Sequence, residues 1–138
     1  MNKTILGLDI GDSTIGVAAS DPSGTICMPV GVIKRKSKAE DMADLQKIIE
    51  ERNVGTIVIG LPLDINGELG PQAKKVKKYT SNIRKATDCE IVFVDERFTS
   101  RMANNTLRTL NVKRGKEKGY EDALAASYIL ELYIKRNR

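Results

Sequence analysis

Leu6-Gly7-Leu8-Asp9-Ile10-Gly11-Asp12-Ser13-Thr14-Ile15-Gly16-Val17-Ala18-Ala19-Ser20-Asp21 carries most of two short apolar runs, Thr4 to Asp9 and Thr14 to Ser20, with a turn between them. At that spacing the runs pair as an antiparallel hairpin, and Asp9 projects from a strand that otherwise reads as buried. A carboxylate in such a place is costly unless a cation or several hydrogen bonds compensate it. Gly11, two residues on, lets the chain turn tightly or lets a phosphate come close. Asp9 is therefore the first candidate for a metal or phosphate site.

Working outward, Asp21-Pro22-Ser23-Gly24 marks a second turn, and Thr25 to Ile33 reads as a third strand. Ser37 with Glu40 three residues later forms a capping box, and Met42, Leu45, Ile48 and Ile49 make an apolar helical stripe that runs to Arg52. Thr56 to Gly60 is a short buried strand. Leu61 to Gly70 is a loop, and Pro71 suits the first position of a helix carrying Ala73, Val76 and Ile83. A strand ending at Glu96, a helix over Met102, Ala103, Leu107 and Leu110, a basic loop from Asn111 to Gly119 and a final helix complete the order. The pattern β-β-β-α-β-α-β-α-α predicts an α/β fold with a mixed five-stranded sheet. The first three strands are antiparallel, the rest parallel, and helices cover both faces. No linker and no repeat interrupts it, so residues 1–138 read as a single domain.

Two further acidic features stand far from Asp9 in sequence. Ile91-Val92-Phe93-Val94 ends in Asp95-Glu96-Arg97, and strand alternation sends the two acids to opposite faces of a sheet, at the end where such sheets place ligands. Glu121 and Asp122 open the apolar helix that continues through Leu124, Ala125 and Ala126. For that pair alone, a favourable interaction with the helix dipole is the plainer explanation. Together, Asp9, Asp95 or Glu96, and Glu121 or Asp122 offer carboxylates on three elements, a combination suited to oxygen-ligated Mg²⁺ or Mn²⁺.

Composition narrows the chemistry. The chain has 138 residues and no histidine, which removes Ser-His-Asp and Cys-His hydrolases and the ordinary zinc sites. Cys27 and Cys89 lack CxxC spacing and read as buried small hydrophobes in a reducing compartment. No apolar run reaches membrane-spanning length, and the stretch after Lys3 is cut short by Asp9, so neither a membrane span nor a signal peptide is expected and the protein reads as cytoplasmic. The net charge is +5, with cations gathered at Lys34-Arg35-Lys36, Lys74-Lys75 with Lys77-Lys78, and Lys113-Arg114 with Lys116 and Lys118. Any one such cluster is ordinarily a solvated face, yet a basic surface around an acidic centre is what a nuclease needs to draw in phosphate. On α-helical spacing Lys74, Lys77 and Lys78 share a neighbourhood and Lys75 lies to its side. Lys74, Lys77, Lys78, Lys113, Arg114 and Lys116 are the candidate nucleic-acid contacts. The glycines and amides of the Leu61–Pro71 loop, followed by a helix N-terminus, are also suited to phosphate.

With this order and these motifs the chain resembles the YqgF/RuvX family within the ribonuclease H-like superfamily. Four segments carry the resemblance: Gly7-Leu8-Asp9 through Asp21, Ile59-Gly60-Leu61-Pro62 through Pro71, Val94-Asp95-Glu96-Arg97, and Asp122-Ala123-Leu124-Ala125-Ala126. The resemblance implies a ribonuclease H-like fold and a nuclease that uses Mg²⁺ or Mn²⁺ in a two-metal mechanism. Asp9, Glu96 and Asp122 would be its catalytic metal ligands, with Asp95 as a second candidate beside Glu96. It also implies a nucleic-acid partner, either precursor small-subunit ribosomal RNA at its 5′ end or branched DNA cut as a Holliday junction. A non-catalytic nucleic-acid-binding factor is the remaining reading, and monomer and homodimer both stay open. One departure is plain: Asp12-Ser13-Thr14 stands where family members usually carry basic residues. The Asp9-x-Gly11 segment also resembles the phosphate loop of actin-like ATP-binding proteins, but those enclose the nucleotide between two lobes and this chain has one.

Overall fold

A computed structural model describes residues 3–96 and 114–136, with the backbone alone for 114–120. Strands β1 (Thr4–Ile10), β2 (Thr14–Ser20) and β3 (Cys27–Lys34) are followed by helix α1 (Lys38–Arg52), strand β4 (Val54–Leu61), helix α2 (Pro71–Ala86), strand β5 (Glu90–Asp95) and helix α3 (Arg114–Arg136). The sheet order is β3-β2-β1-β4-β5. Pairing is antiparallel between β1 and β2 and between β2 and β3, and parallel between β1 and β4 and between β4 and β5. This is the predicted mixed sheet. The helix expected over Met102–Leu110 lies outside the described residues.

Local chemistry accounts for the punctuation. Asp21 turns the chain by accepting from the amides of Thr25 and Ile26 at 2.8 and 2.9 Å, with Gly24 in the left-handed region at φ 72°. Those contacts and the Ser23 hydroxyl hold the Asp21 carboxyl down at about 2. Ser37 caps α1 by accepting from the Glu40 amide at 3.1 Å, and Asn53 ends the helix in the left-handed region at φ 53°. Pro29 sits in β3, an edge of the sheet, where a missing N–H is tolerated.

The two faces are filled differently. Leu6, Leu8, Ile15, Val17, Ile57 and Ile59 point to one side and pack against Met42 and Leu45 of α1 and Val76, Tyr79 and Ile83 of α2. On the other side Ala18, Val58 and Val94 meet Ala126, Ile129, Leu130 and Ile134 of α3. Helices therefore cover both faces, as the alternation predicts.

Candidate active site

Strand parity decides which acids meet. Asp9 follows Gly7 by two residues and Glu96 follows Val94 by two, which puts both on the α3 side of the sheet. Asp95, the exposed last residue of β5, points to the opposite side. The carboxyls of Asp9 and Glu96 lie within hydrogen-bonding reach of each other, although β4 runs between their strands. Gly60 of β4 makes that meeting possible. A Cβ there would stand 2.8 Å from Glu96 Oε2 and would collide with Ile129 of α3. Glu96 is 8% exposed, and its N–H donates to the Leu61 carbonyl at 3.2 Å.

Helix α3 brings the third acid. It starts at Arg114, so the segment expected as a basic loop up to Gly119 is largely helical, and Glu121 and Asp122 lie two turns inside rather than in the first turn. The helix-dipole explanation for them falls away, because that effect fades beyond the first turn. The close seat of α3 depends on Gly16, where a Cβ would overlap the Asp122 carbonyl. Asp122 Oδ2 accepts from Thr14 Oγ1 at 2.8 Å, which ties the helix to β2. Burial pushes the Asp9 carboxyl up from its ordinary value, the hydrogen bond with Glu96 works the other way, and the charges of Asp122 and Glu121 push it further up.

A cleft of about 310 Å³ opens over the pair, lined by Asp9, Gly11, Pro62, Leu63, Gln72 and Glu96. The loop after β4 is thus a wall of the site. It is shaped by Asp64, whose Oδ1 accepts from the amides of Asn66 and Glu68 at 2.9 Å, with Gly67 at φ 78°. The donor set fits a hard divalent cation. Two carboxyls side by side disfavour each other's ionised form, and a divalent cation offsets that cost while taking the oxygen ligands it prefers. Among the described residues no three His, Cys, Asp or Glu side chains stand close enough together to hold an ion.

The lysines divide. Lys75 and Lys78 line a second cleft with Asp12, Arg35, Tyr79 and Asn82, whereas Lys77 lies over the Phe93 ring at 5.7 Å. Of the expected group Lys74, Lys77 and Lys78, Lys78 thus shares a cleft with Lys75 while Lys77 reaches Phe93, with Ala73, Val76 and Ile83 turned to the core. Lys113 lies outside the described residues, and Arg114 and Lys116 fall in the first turns of α3, where the backbone alone is described. Sequence reasoning does not reach Thr14, Arg35 or Gly60. Thr14 is visible only as a departure from a family pattern, Arg35 only as one of a basic triplet, and Gly60 only as a strand residue within a family motif, with no role of its own.

A mixed sheet in this order, with helices on both faces, defines a ribonuclease H-like fold. Thermus thermophilus RuvC in complex with a Holliday junction substrate shares it, with a TM-score of 0.59 at 13% identity over 98% of this chain and 96% of that one. So does the Fowlpox virus resolvase with its substrate Holliday junction DNA, with a TM-score of 0.58 at 9% identity over 97% and 98%. At such identities the likeness establishes the fold alone. The sequence pattern of the RuvX family, described as Holliday junction resolvase, matches residues 3–136. A Clostridium botulinum (strain Hall) protein is 44% identical over 130 residues, covering 94% of this chain and 95% of its own length. A Caldanaerobacter subterraneus protein is 43% identical over 131 residues, covering 94% of each. Both bear the name "Putative pre-16S rRNA nuclease". The chain belongs to the RuvX family.

Proposed function

We propose that this protein is a nuclease that hydrolyses phosphodiester bonds during 5′-end maturation of precursor small-subunit ribosomal RNA. The observation that carries the reading is the close pair of Asp9 and Glu96 carboxyls in an open cleft, with the charge of Asp122 close enough to raise Asp9. Family membership and the relatives' names support the substrate. In this reading Asp9, Glu96 and Asp122 hold Mg²⁺ or Mn²⁺, and Asp95, on the far side of the sheet, does not.

The chain's own residues prepare the site. The carboxyls of Asp9 and Glu96 lie side by side in the cleft and would hold the cation between them. Thr14 fixes the Asp122 carboxylate, and Arg35 steadies the turn after Asp9 by donating from Nη1 to the Gly11 carbonyl at 2.6 Å. Pro62 and Leu63 line the cleft beside the two acids. The chemistry supplied by bound Mg²⁺ or Mn²⁺, in its two-metal form, is activation of a water and stabilisation of the leaving oxygen. No helix among the described residues is long and apolar enough to cross a membrane, and we assign the work to the cytoplasm.

The test is cleavage by the purified protein of a precursor 16S 5′ fragment and of a four-way DNA junction. We expect Mg²⁺- or Mn²⁺-dependent cutting of the RNA, its loss in EDTA, and its loss in Asp9→Asn. Preferred cutting of the junction would replace the substrate by branched DNA, which the family description favours. Binding without cleavage of either would overturn the enzymatic reading.

A further inference from the structure

We propose that the cleft between α2 and the β1–β2 turn is a second phosphate subsite, gripping the nucleic-acid backbone beside the scissile bond, and that Asp12 occupies it in the free protein as a displaceable stand-in for phosphate. The proposal rests on the nuclease reading for the identity of the ligand and on its own residues for the site.

The cleft measures about 370 Å³ and is lined by Asp12, Arg35, Lys75, Lys78, Tyr79 and Asn82, three cations against one carboxylate. Lys75, Lys78 and Asn82 fall at i, i+3 and i+7 of α2, one stripe of the helix. Arg35 is held ready. Its Nη1 donates to the Gly11 carbonyl at 2.6 Å, its guanidinium stacks 4.3 Å from the centre of the Tyr79 ring, and the Tyr79 hydroxyl donates to buried Asp41 at 3.1 Å. A guanidinium has five N–H donors in a planar fork that suits phosphate. Fixing the group beforehand lowers the ordering cost of using them.

Continuity with the carboxylate cleft points to the same strand of nucleic acid. Gly11 lines that cleft and Asp12 lines this one. Gln72 lines that cleft and Lys75, one helical turn further, lines this one. A backbone crossing Asp9 and Glu96 along α2 therefore runs next onto Lys75 and Lys78. Asp12 Oδ1 already sits 3.8 Å from Lys75 Nζ, with both side chains mostly exposed. An exposed ion pair of this kind is weak, so a phosphodiester that reaches several of these cations displaces it.

The experiment is fluorescence anisotropy in EDTA, so that no cleavage occurs, using a labelled single-stranded RNA and a labelled four-way DNA junction across a salt series. Replacing Lys75 and Lys78 by Gln should weaken binding and lower the log-log salt slope by about 0.7 per lost contact on the single strand. The matched pair Lys74→Gln with Lys77→Gln should lower it less. Asp12→Asn should tighten binding about threefold, the size of an exposed ion pair, and should do nothing in the Lys75/Lys78 double variant, because the effects are coupled. Equal losses from the two lysine pairs, or an Asp12→Asn effect that persists without Lys75 and Lys78, would mean diffuse attraction and overturn the subsite. If the wild-type protein cleaves while the cleft variants bind as it does, the subsite fails and the nuclease reading stands. If the wild-type protein neither binds nor cleaves either probe, both fail.

Discussion

The two faces of the sheet obey different rules. Toward α1 and α2 the strands present Leu6, Leu8, Ile15, Ile57 and Ile59, all 0% exposed, which is a face filled for stability. Toward α3 they present Gly7, Gly16, Ala18, Val58 and Gly60, small residues that let the helix backbone come down onto the sheet. A Cβ at Gly7 would lie 2.7 Å from the Ala126 carbonyl. That face gives up apolar volume and in return holds three carboxylates from three distant elements. Bulk and chemistry are segregated by the two-residue period of a strand.

Substitutions that swap the character of a face should break this contrast. Leu8→Ala, on the filled face, removes buried methyl groups and leaves a cavity, so it should lower unfolding stability by about 3 kcal/mol. Below its melting temperature it should cleave within about threefold of wild type, since its side chain lies on the opposite face of the sheet from the acids. Gly16→Ala, on the other face, forces α3 away from the Asp122 carbonyl. It should lower stability by about 2 kcal/mol and reduce cleavage at least about tenfold, because Asp122 travels with its helix. Urea unfolding and single-turnover cleavage on both variants check the pair. A Gly16→Ala protein with wild-type cleavage would show that the close seat of α3 is only packing.

Much of the filled face is legible in the sequence, and less of the other. Alternating apolar residues, the Asp21–Gly24 turn, the Ser37 cap and Pro71 each act over a few residues, so β1 to α2 can be read in order. The start of α3 cannot, because Gly115 and Gly119 look like breakers while the helix runs through them. The choice between Asp95 and Glu96 needs the face that α3 occupies, a tertiary fact. The Thr14–Asp122 bond joins residues 108 apart, and the split of the lysine cluster follows from how α2 is rotated onto the core. Family resemblance, rather than local chemistry, is what singles out Glu96 and Asp122 beforehand.

The smallest expected effect is also the most direct test. Burial and neighbouring charge raise the Asp9 carboxyl in the folded protein. A group so raised binds its proton more tightly when folded, so its contribution to stability is present below its unfolded value and is lost as pH rises through the folded one. In EDTA at neutral pH, Asp9→Asn escapes that loss and should be more stable than wild type by about 1 kcal/mol, with the difference closing in acid. Added Mn²⁺ should reverse the order: a cation that binds only the folded state stabilises it by mass action, and Asp9→Asn lacks one of the proposed ligands. The decisive measurement is therefore the melting temperature of wild type and Asp9→Asn across a Mn²⁺ titration at neutral pH, starting from EDTA. A rising wild-type curve that crosses a flat Asp9→Asn curve is the predicted result. Parallel curves, or none that move, would contradict the assignment of the α3 face as a metal-carboxylate site.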